Sequence, residues 1–370
     1  MITGTVPASI TLALTGDVML GRGIDQVLRH PCEPELFEDF VSDARDYVAL
    51  AERVHGPIPR CVSDDYVWGD ALPFLQGPPH ARIVNLETSV TTSGDYFPKG
   101  INYRMNPRNA GCLAAAGVDC CVLANNHVLD WGETGLLDTL DTLKRAGIQY
   151  AGAGRDEEEA ASPAILGTTA AARIVVYGFG LESSGIPPSW KARPSRPGVN
   201  LLSELSDKTV AIIAERANTK RHNGDLLVAS IHWGPNWGYT VPREHRVFAH
   251  RLIEAGFSVV HGHSSHHAVA MEIYRGGLIL YGCGDFITDY EGIIGHEEYR
   301  GDLAVLYCPE FAVQTGRLVS LSMYPFRMKK FRLIYASEDD AAWLHATLDQ
   351  ESGQFGMRLE RNDHGGFMLI

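Results

Sequence analysis

Short runs of β-branched and apolar residues recur along the chain. Most end in a polar cluster able to bind a cation, and helical stretches lie between them. Such an alternation restricts the chain to an α/β protein whose central strands are buried and covered by helices. The predicted strands span residues 10–15, 82–86, 119–124, 173–178, 226–232, 258–261, 278–281 and 302–307. Between them, Leu136, Leu140 and Leu143 repeat at near-helical spacing before Gly147, and Phe248 with Leu252 forms a stripe that stops at Gly256. Both read as amphipathic packing helices with glycine at the C-terminal end.

At 370 residues with 45% hydrophobic content, the chain can bury one large core or two modest ones. Lys and Arg number 32 against 45 for Asp and Glu, a formal net charge of -13, so no overall field gathers nucleic acid or anionic lipid. Neither nucleic acid nor a membrane is expected as a partner. The apolar stretches near residues 10–20 and 303–308 are interrupted well short of the roughly 18 to 20 residues a membrane span needs. Residues 1–14 lack the basic region of a secretory signal, so a cytoplasmic location is expected. Seven cysteines are an odd number for a disulfide framework, and Cys120 and Cys121 lie in a predicted buried strand, which favours reduced thiols.

Three stretches depart from the alternation. Residues 30–79 hold seven prolines and no clean period, and read as an insertion or lid over the sheet edge. Residues 183–197 form a proline-rich basic loop with Trp190, Lys191, Arg193 and Arg196, either a solvated connector or a contact for an acidic or aromatic substrate. Beyond Arg332 an amphipathic segment at 341–348 precedes a glycine-rich tail. The expected organisation is one domain over 1–330, carrying the 30–79 insertion, with an extension at 331–370 packed on it.

Chemistry gathers where the predicted strands end: Gly16-Asp17, Asn85-Leu86-Glu87, Asn125-Asn126-His127, His232-Trp233-Gly234, and the histidine-rich turn from His261 to His267. In open α/β sheets ligands bind at that edge. Each piece alone has an ordinary reading, as a turn, a cap or a core histidine. Five together at one edge read as a site. Asp, Glu, Asn and neutral imidazole are ligands of a hard or borderline divalent cation, and the lack of thiolate argues against iron–sulfur or copper(I).

These residues also carry a resemblance. Residues 16–22, 85–89 and 123–136, His232-Trp233-Gly234, and the histidine turn followed by Tyr281-Gly282-Cys283-Gly284-Asp285-Phe286 resemble the CapA (poly-γ-glutamate synthesis) family. The resemblance runs in order from about Ile10 to Tyr290. That family is similar to the calcineurin-like metallophosphoesterases, which implies an α-β-β-α sandwich. It also implies Asp17 as first acid, Glu87 as bridging acid, Asn126, His232 and His263 as ligands of a second metal, and His127 as the catalytic-type histidine. His266 would fall near the first metal, one residue late.

The sequence departs from the phosphoesterase pattern at two points. Met19 stands where an early histidine is expected, and Ser265 where the last histidine of the Gly-His-x-His turn should be. A thioether is a poor ligand for Mg²⁺, Mn²⁺ or Zn²⁺. The expectation is therefore one divalent ion, held by Glu87, Asn126, His232 and His263, with no organic cofactor. The ligand set does not choose among Mn²⁺, Zn²⁺, Mg²⁺ and Ca²⁺.

With the first metal absent, Asp17 and His266 become free for proton chemistry. A CapA-like branch that the chain resembles includes the epimerase of a lasso-peptide precursor. The resemblance implies Asp17 and a late-loop histidine, here His296, as its acid/base pair. The preferred expectation is thus a metal-dependent epimerase acting on a peptide α-carbon, with a separate leader-recognition protein as a further partner. Against it stand a metal-dependent hydrolase of phosphoesters or γ-glutamyl amides, with His127 as general acid, and a scaffold for polymer synthesis or export. Arg22 is a candidate fork for a substrate carboxylate or phosphate, or a bridge to an acid of the insertion. Trp233, Trp237 and Tyr239 line either a peptide pocket or ordinary core.

Overall fold

The computed structural model describes residues 9–77, 79–169, 172–362 and 365–369. Two sheets stack face to face, and helices cover both outer surfaces. In the first, the strands run in the order Leu359–Arg361, Phe367–Leu369, Leu318–Met328, Leu303–Ala312, Ser9–Val18, Ala81–Leu86, Cys120–Val122 and Gln149–Ala151. The second runs Met271–Tyr274, Gly277–Leu280, Val259–His263, Leu226–His232, Ala172–Gly180 and Ala164–Thr169.

Period-two alternation builds these layers directly, because successive side chains of a strand point to opposite faces. Leu12 and Leu14 face the second sheet, whose Ile174, Val176 and Val228 face back, and together they form the core between the sheets. Their neighbours point outward. Ala13, Val84 and Cys121 meet Leu136, Leu140 and Leu143 of the helix Gly132–Arg145. On the other side, Val175, Tyr177, Leu227 and Ala229 meet Phe248 and Leu252 of the helix Arg243–Glu254. The result is the expected α-β-β-α sandwich.

All eight predicted strands are present, their ends moved by at most five residues. The long strand Leu318–Met328 was not foreseen. Pro325 interrupts its pattern, and proline ordinarily argues against a paired strand, although here it sits opposite Val305. Residues 30–79 are more than a lid: they contain the helix Arg45–His55, and Val67, Trp68 and Leu75 enter the core under the first sheet. The C-terminal helix Glu338–Gly353 turns Leu344 and Leu348 into the core between the sheets, and the strands after it extend the first sheet. Among the described residues, no helix is long and apolar enough to cross a membrane.

The parallel strands position the polar clusters. Ser9–Val18 lies parallel to Ala81–Leu86, which lies parallel to Cys120–Val122. In the second sheet, Leu226–His232 is parallel to both Ala172–Gly180 and Val259–His263. Parallel order sends the C-terminal ends of neighbouring strands to one edge, so residues far apart in sequence become neighbours there.

Candidate metal centre

At that edge His232 and His263 are register partners on adjacent strands, and Asp17 is the register partner of Asn85. Asp17 is 1% exposed, Glu87 3%, and His232 and His263 are fully buried. The two imidazoles face each other, Nδ1 to Nδ1 at 2.8 Å. The carboxamide oxygen of Asn126 lies 3.0 Å from His232 Nε2, and a Glu87 carboxylate oxygen lies 3.7 Å from the same nitrogen. Asp17 Oδ1 is 4.0 Å from His263 Nδ1. Ser230 Oγ, 2.9 Å from His263 Nε2, turns that ring so that Nδ1 faces the cluster.

A chain of amides fixes the acids. Asn125 donates to Asn85 Oδ1 at 3.1 Å, and Asn85 donates to Asp17 Oδ1 at 2.7 Å. The second oxygen of Asp17 accepts the backbone N–H of Ser264 at 3.2 Å. To make that bond Ser264 adopts a φ of 103°, a region costly for any residue but glycine.

Sequence reasoning missed Asp285. The short strand Asp285–Ile287 pairs in parallel with Ser9–Val18 and sets Asp285 directly beside Asp17. The ligand atoms of Asp17, Glu87 and Asp285 lie within 4.8 Å of one another, and so do those of Asp17, His232 and His263. Asp17 thus belongs to two clusters. Met19 does not enter either: its sulfur accepts the Gly21 N–H at 3.1 Å. Against the expectation that Met19 leaves the first cluster short of ligands, Asp285 supplies a further carboxylate there, from a motif to which the sequence reading gave no ligand role.

Electrostatics fit a cation in both clusters. Burial, together with the neighbouring Asp285 carboxylate, pushes Asp17 up to about 8. Burial and then the charge of Asp17 push Glu87 well above the usual carboxylate range. Three buried acids this close repel one another unless protons or a cation intervene. Burial also holds His232 and His263 well below the ordinary imidazole value, keeping them neutral with lone pairs free to ligate. The donors therefore suit a divalent ion: Asp17, Glu87 and Asp285 in one cluster, and Asp17, His232 and His263, with Asn126 beside them, in the other.

The remaining candidates fall into distinct places. His127 is buried, and its Nδ1 lies 2.6 Å from Asp130 Oδ2. Lys99, which sequence reasoning also missed, sits 2.9 Å from the other oxygen of Asp130. Burial drives His127 well below its ordinary value and raises Asp130 to about 7. His266 is half-buried with Nδ1 3.1 Å from Asp285. Burial opposes its charge, but Asp285 more than offsets this and raises it.

Arg22 and Trp233 follow the structural one of their two readings, and His296 stands apart from the acids. Arg22 is buried and spends its fork inside the protein, on Asp289 at 2.5 Å and Glu38 at 3.1 Å, so no face of it is left for substrate. Trp233 is likewise buried, donating to the Tyr281 carbonyl at 2.9 Å and stacked on His245. His296 is exposed and stacks on Trp237 at 4.2 Å, while Trp237 in turn lies 5.2 Å from the ring of His266. His296 therefore stands at the mouth of the site, separated from the acids by two rings. Asp17, which a one-ion site would leave free, lies among the candidate ligand atoms of both clusters.

Residues 11–290 match the family described as bacterial capsule synthesis protein PGA_cap. The chain is 46% identical over 356 residues to a probable polyglutamine synthesis accessory protein of Mycobacterium tuberculosis, covering 95% of this chain and 94% of that one. It is 26% identical over 282 residues to the PGA biosynthesis protein CapA of Bacillus subtilis, covering 76% of this chain and 63% of the relative. A solved phosphatase from Mycoplasma pneumoniae aligns over 86% of this chain and 93% of its own, at 14% identity and a TM-score of 0.45. On the family match and the close mycobacterial relative, the chain belongs to the PGA_cap family of bacterial capsule synthesis proteins.

Proposed function

We propose that this protein is a divalent-cation-dependent hydrolase acting on γ-glutamyl amide bonds of an acidic polymer. The observation that carries the reading is the position of Asp17, shared between a carboxylate cluster and a histidine cluster. Bound there, divalent ions would polarise a scissile carbonyl and make water more acidic. The chain's own groups account for the rest. His127, kept neutral by burial and oriented through Nδ1 by Asp130, has Nε2 available to take a proton from the attacking water and return it to the departing amine. Lys99 balances the charge of Asp130. The substrate class draws on the printed names of the relatives, which concern polyglutamine and PGA synthesis.

Epimerisation of a peptide α-carbon by Asp17 and His296, served by a separate leader-recognition protein, is the second reading. What favours it is the stacking of His296 on Trp237 at the mouth of the site. The engagement of Asp17 with Asn85 and Ser264 in the middle of the ligand set weighs against it.

Incubation of the Mn²⁺-loaded protein with poly-γ-glutamate in D₂O separates the readings. The hydrolase account expects new amines and shorter chains, lost in Asp17→Asn and in His232→Ala. Deuterium at an α-carbon of a peptide with no cleavage would favour the epimerase. Phosphate release from aryl phosphates without amine release would move the activity to phosphoesters, and inactivity on all three would leave a scaffold role.

A further inference from the structure

At the opposite edge of the second sheet, where its parallel strands begin, a polar cleft of about 580 Å³ is lined by Arg221, Arg275 and Arg317. The strand Leu226–His232 runs from this cleft to the metal centre, so the two lie on the order of 20 Å apart at about 3.3 Å per residue. Asp225 is the one acid among the described residues lining the cleft, and its charge is already taken: Arg173 binds both its oxygens, at 2.9 and 2.6 Å, and the His222 N–H binds one at 2.7 Å. Arg275 reaches Glu254 at 3.3 Å, an acid that also serves Arg251 and the Tyr274 hydroxyl. Among the described residues, the side chains of Arg221 and Arg317 have no hydrogen-bond or ion-pair partner.

Glycines leave room for these two guanidinium groups. A Cβ on Gly256 would stand 2.4 Å from Arg221 Nη1, and one on Gly276 would stand 2.6 Å from Arg317 Nε. Both glycines have positive φ, at 100° and 87°. The backbone therefore turns sharply at each position, and the absence of a side chain lets an arginine lie against it. On a chain with a net charge of -13, two uncompensated arginines and a partly compensated third converge on one cleft. A planar fork of N–H donors is the natural partner of carboxylates.

We infer that this cleft binds a run of carboxylates on an extended acidic polymer, as an anchoring site separate from the metal centre. The inference rests on the proposed polymer substrate. The metal centre is itself built of carboxylates and offers such a chain no cation before metal is bound. The arginine cleft supplies the attraction that the metal-free centre lacks.

The test uses the full chain as Asp17→Asn in EDTA, so that neither turnover nor bound cations contribute, and reads the anisotropy of a fluorescent γ-glutamate oligomer. Binding is expected to weaken as salt rises, because these groups are exposed and screened. The double substitution Arg221→Ser with Arg317→Ser is expected to weaken it about tenfold or more at unchanged melting temperature, and Arg317→Glu to weaken it further. An oligomer with amidated side chains is expected not to bind. No binding by the parent protein, equal affinity in the double variant, or equal competition by inorganic phosphate would overturn the inference. Polymer binding in this test, together with no hydrolysis by the metal-loaded chain carrying its native Asp17, would instead count against the proposed activity and leave the cleft standing.

Discussion

The Nδ1 atoms of His232 and His263, 31 residues apart in sequence, face each other across 2.8 Å, and both residues are fully buried. Burial keeps both rings neutral, so one nitrogen must carry a hydrogen and the other must accept it. A divalent cation would replace that single shared hydrogen with two ligand bonds. His232→Ala removes a ligand and leaves His263 without its partner. The expected outcome is a loss of at least about tenfold in affinity for Mn²⁺ at one position, read by elemental analysis across a metal titration. Unchanged stoichiometry and affinity would remove His232 from the ligand set.

Asp285 presses its charge on Asp17 in the metal-free protein. Above pH 8, where Asp17 has lost its proton, Asp285→Asn relieves that repulsion and is expected to stabilise the metal-free chain by about 1 kcal/mol, or roughly 2 °C in melting temperature. The same change should shrink the stabilisation gained on adding Mn²⁺. Calorimetric scans with and without metal measure both effects, and the two must move in opposite directions.

The pH dependence follows from Asp17, whose folded value near 8 lies above its ordinary 3.8. A group raised on folding keeps its proton in the native state. Its contribution to stability is fully present below about pH 4 and is lost as pH rises through 8. In the metal-free protein this loss is expected between those limits. Metal binding at pH 7 must displace the proton, so titration calorimetry in buffers of different ionisation enthalpy should show release of about one proton per chain from this group. Binding heats that do not depend on the buffer would contradict the assignment.

Gly16 precedes Asp17 at a point where a Cβ would fall 1.6 Å from the carbonyl oxygen of Gly284. The Asp17 N–H donates to that same carbonyl at 2.9 Å. Gly16→Ala therefore forces two backbones apart inside the site. A destabilisation of more than about 4 kcal/mol is expected, at the far end of what single substitutions do. Denaturant unfolding measures it.

Local pattern was enough for the layers of the fold, since strands such as 226–232 announce themselves by apolar runs and their order by the helices between them. It also marked the polar clusters that hold Asp17, Glu87, Asn126, His232 and His263, because each stands at or just beyond a strand end, while the choice of these residues within the clusters came from the resemblance. It could not reach Asp285. That residue lies in a strand of three residues inside a glycine-rich turn, and its role depends on a parallel pairing with a strand more than 260 residues earlier. Lys99 lies in a loop and meets Asp130 only through tertiary folding. Asp130 itself stands three residues after His127, and that spacing was the available signal. The pairing of Arg22 with Glu38 was one of the two readings open for it, a bridge to an acid of the insertion, whereas its second partner, Asp289, lies far along the chain and gave no local signal.

The central claim is that Asp17 lies between two cation positions. Anomalous diffraction from crystals soaked in Mn²⁺ tests it most directly. The account predicts two peaks, one among Asp17, Glu87 and Asp285 and the other among Asp17, His232 and His263. A single peak, or peaks that leave Asp17 uncoordinated, would contradict it.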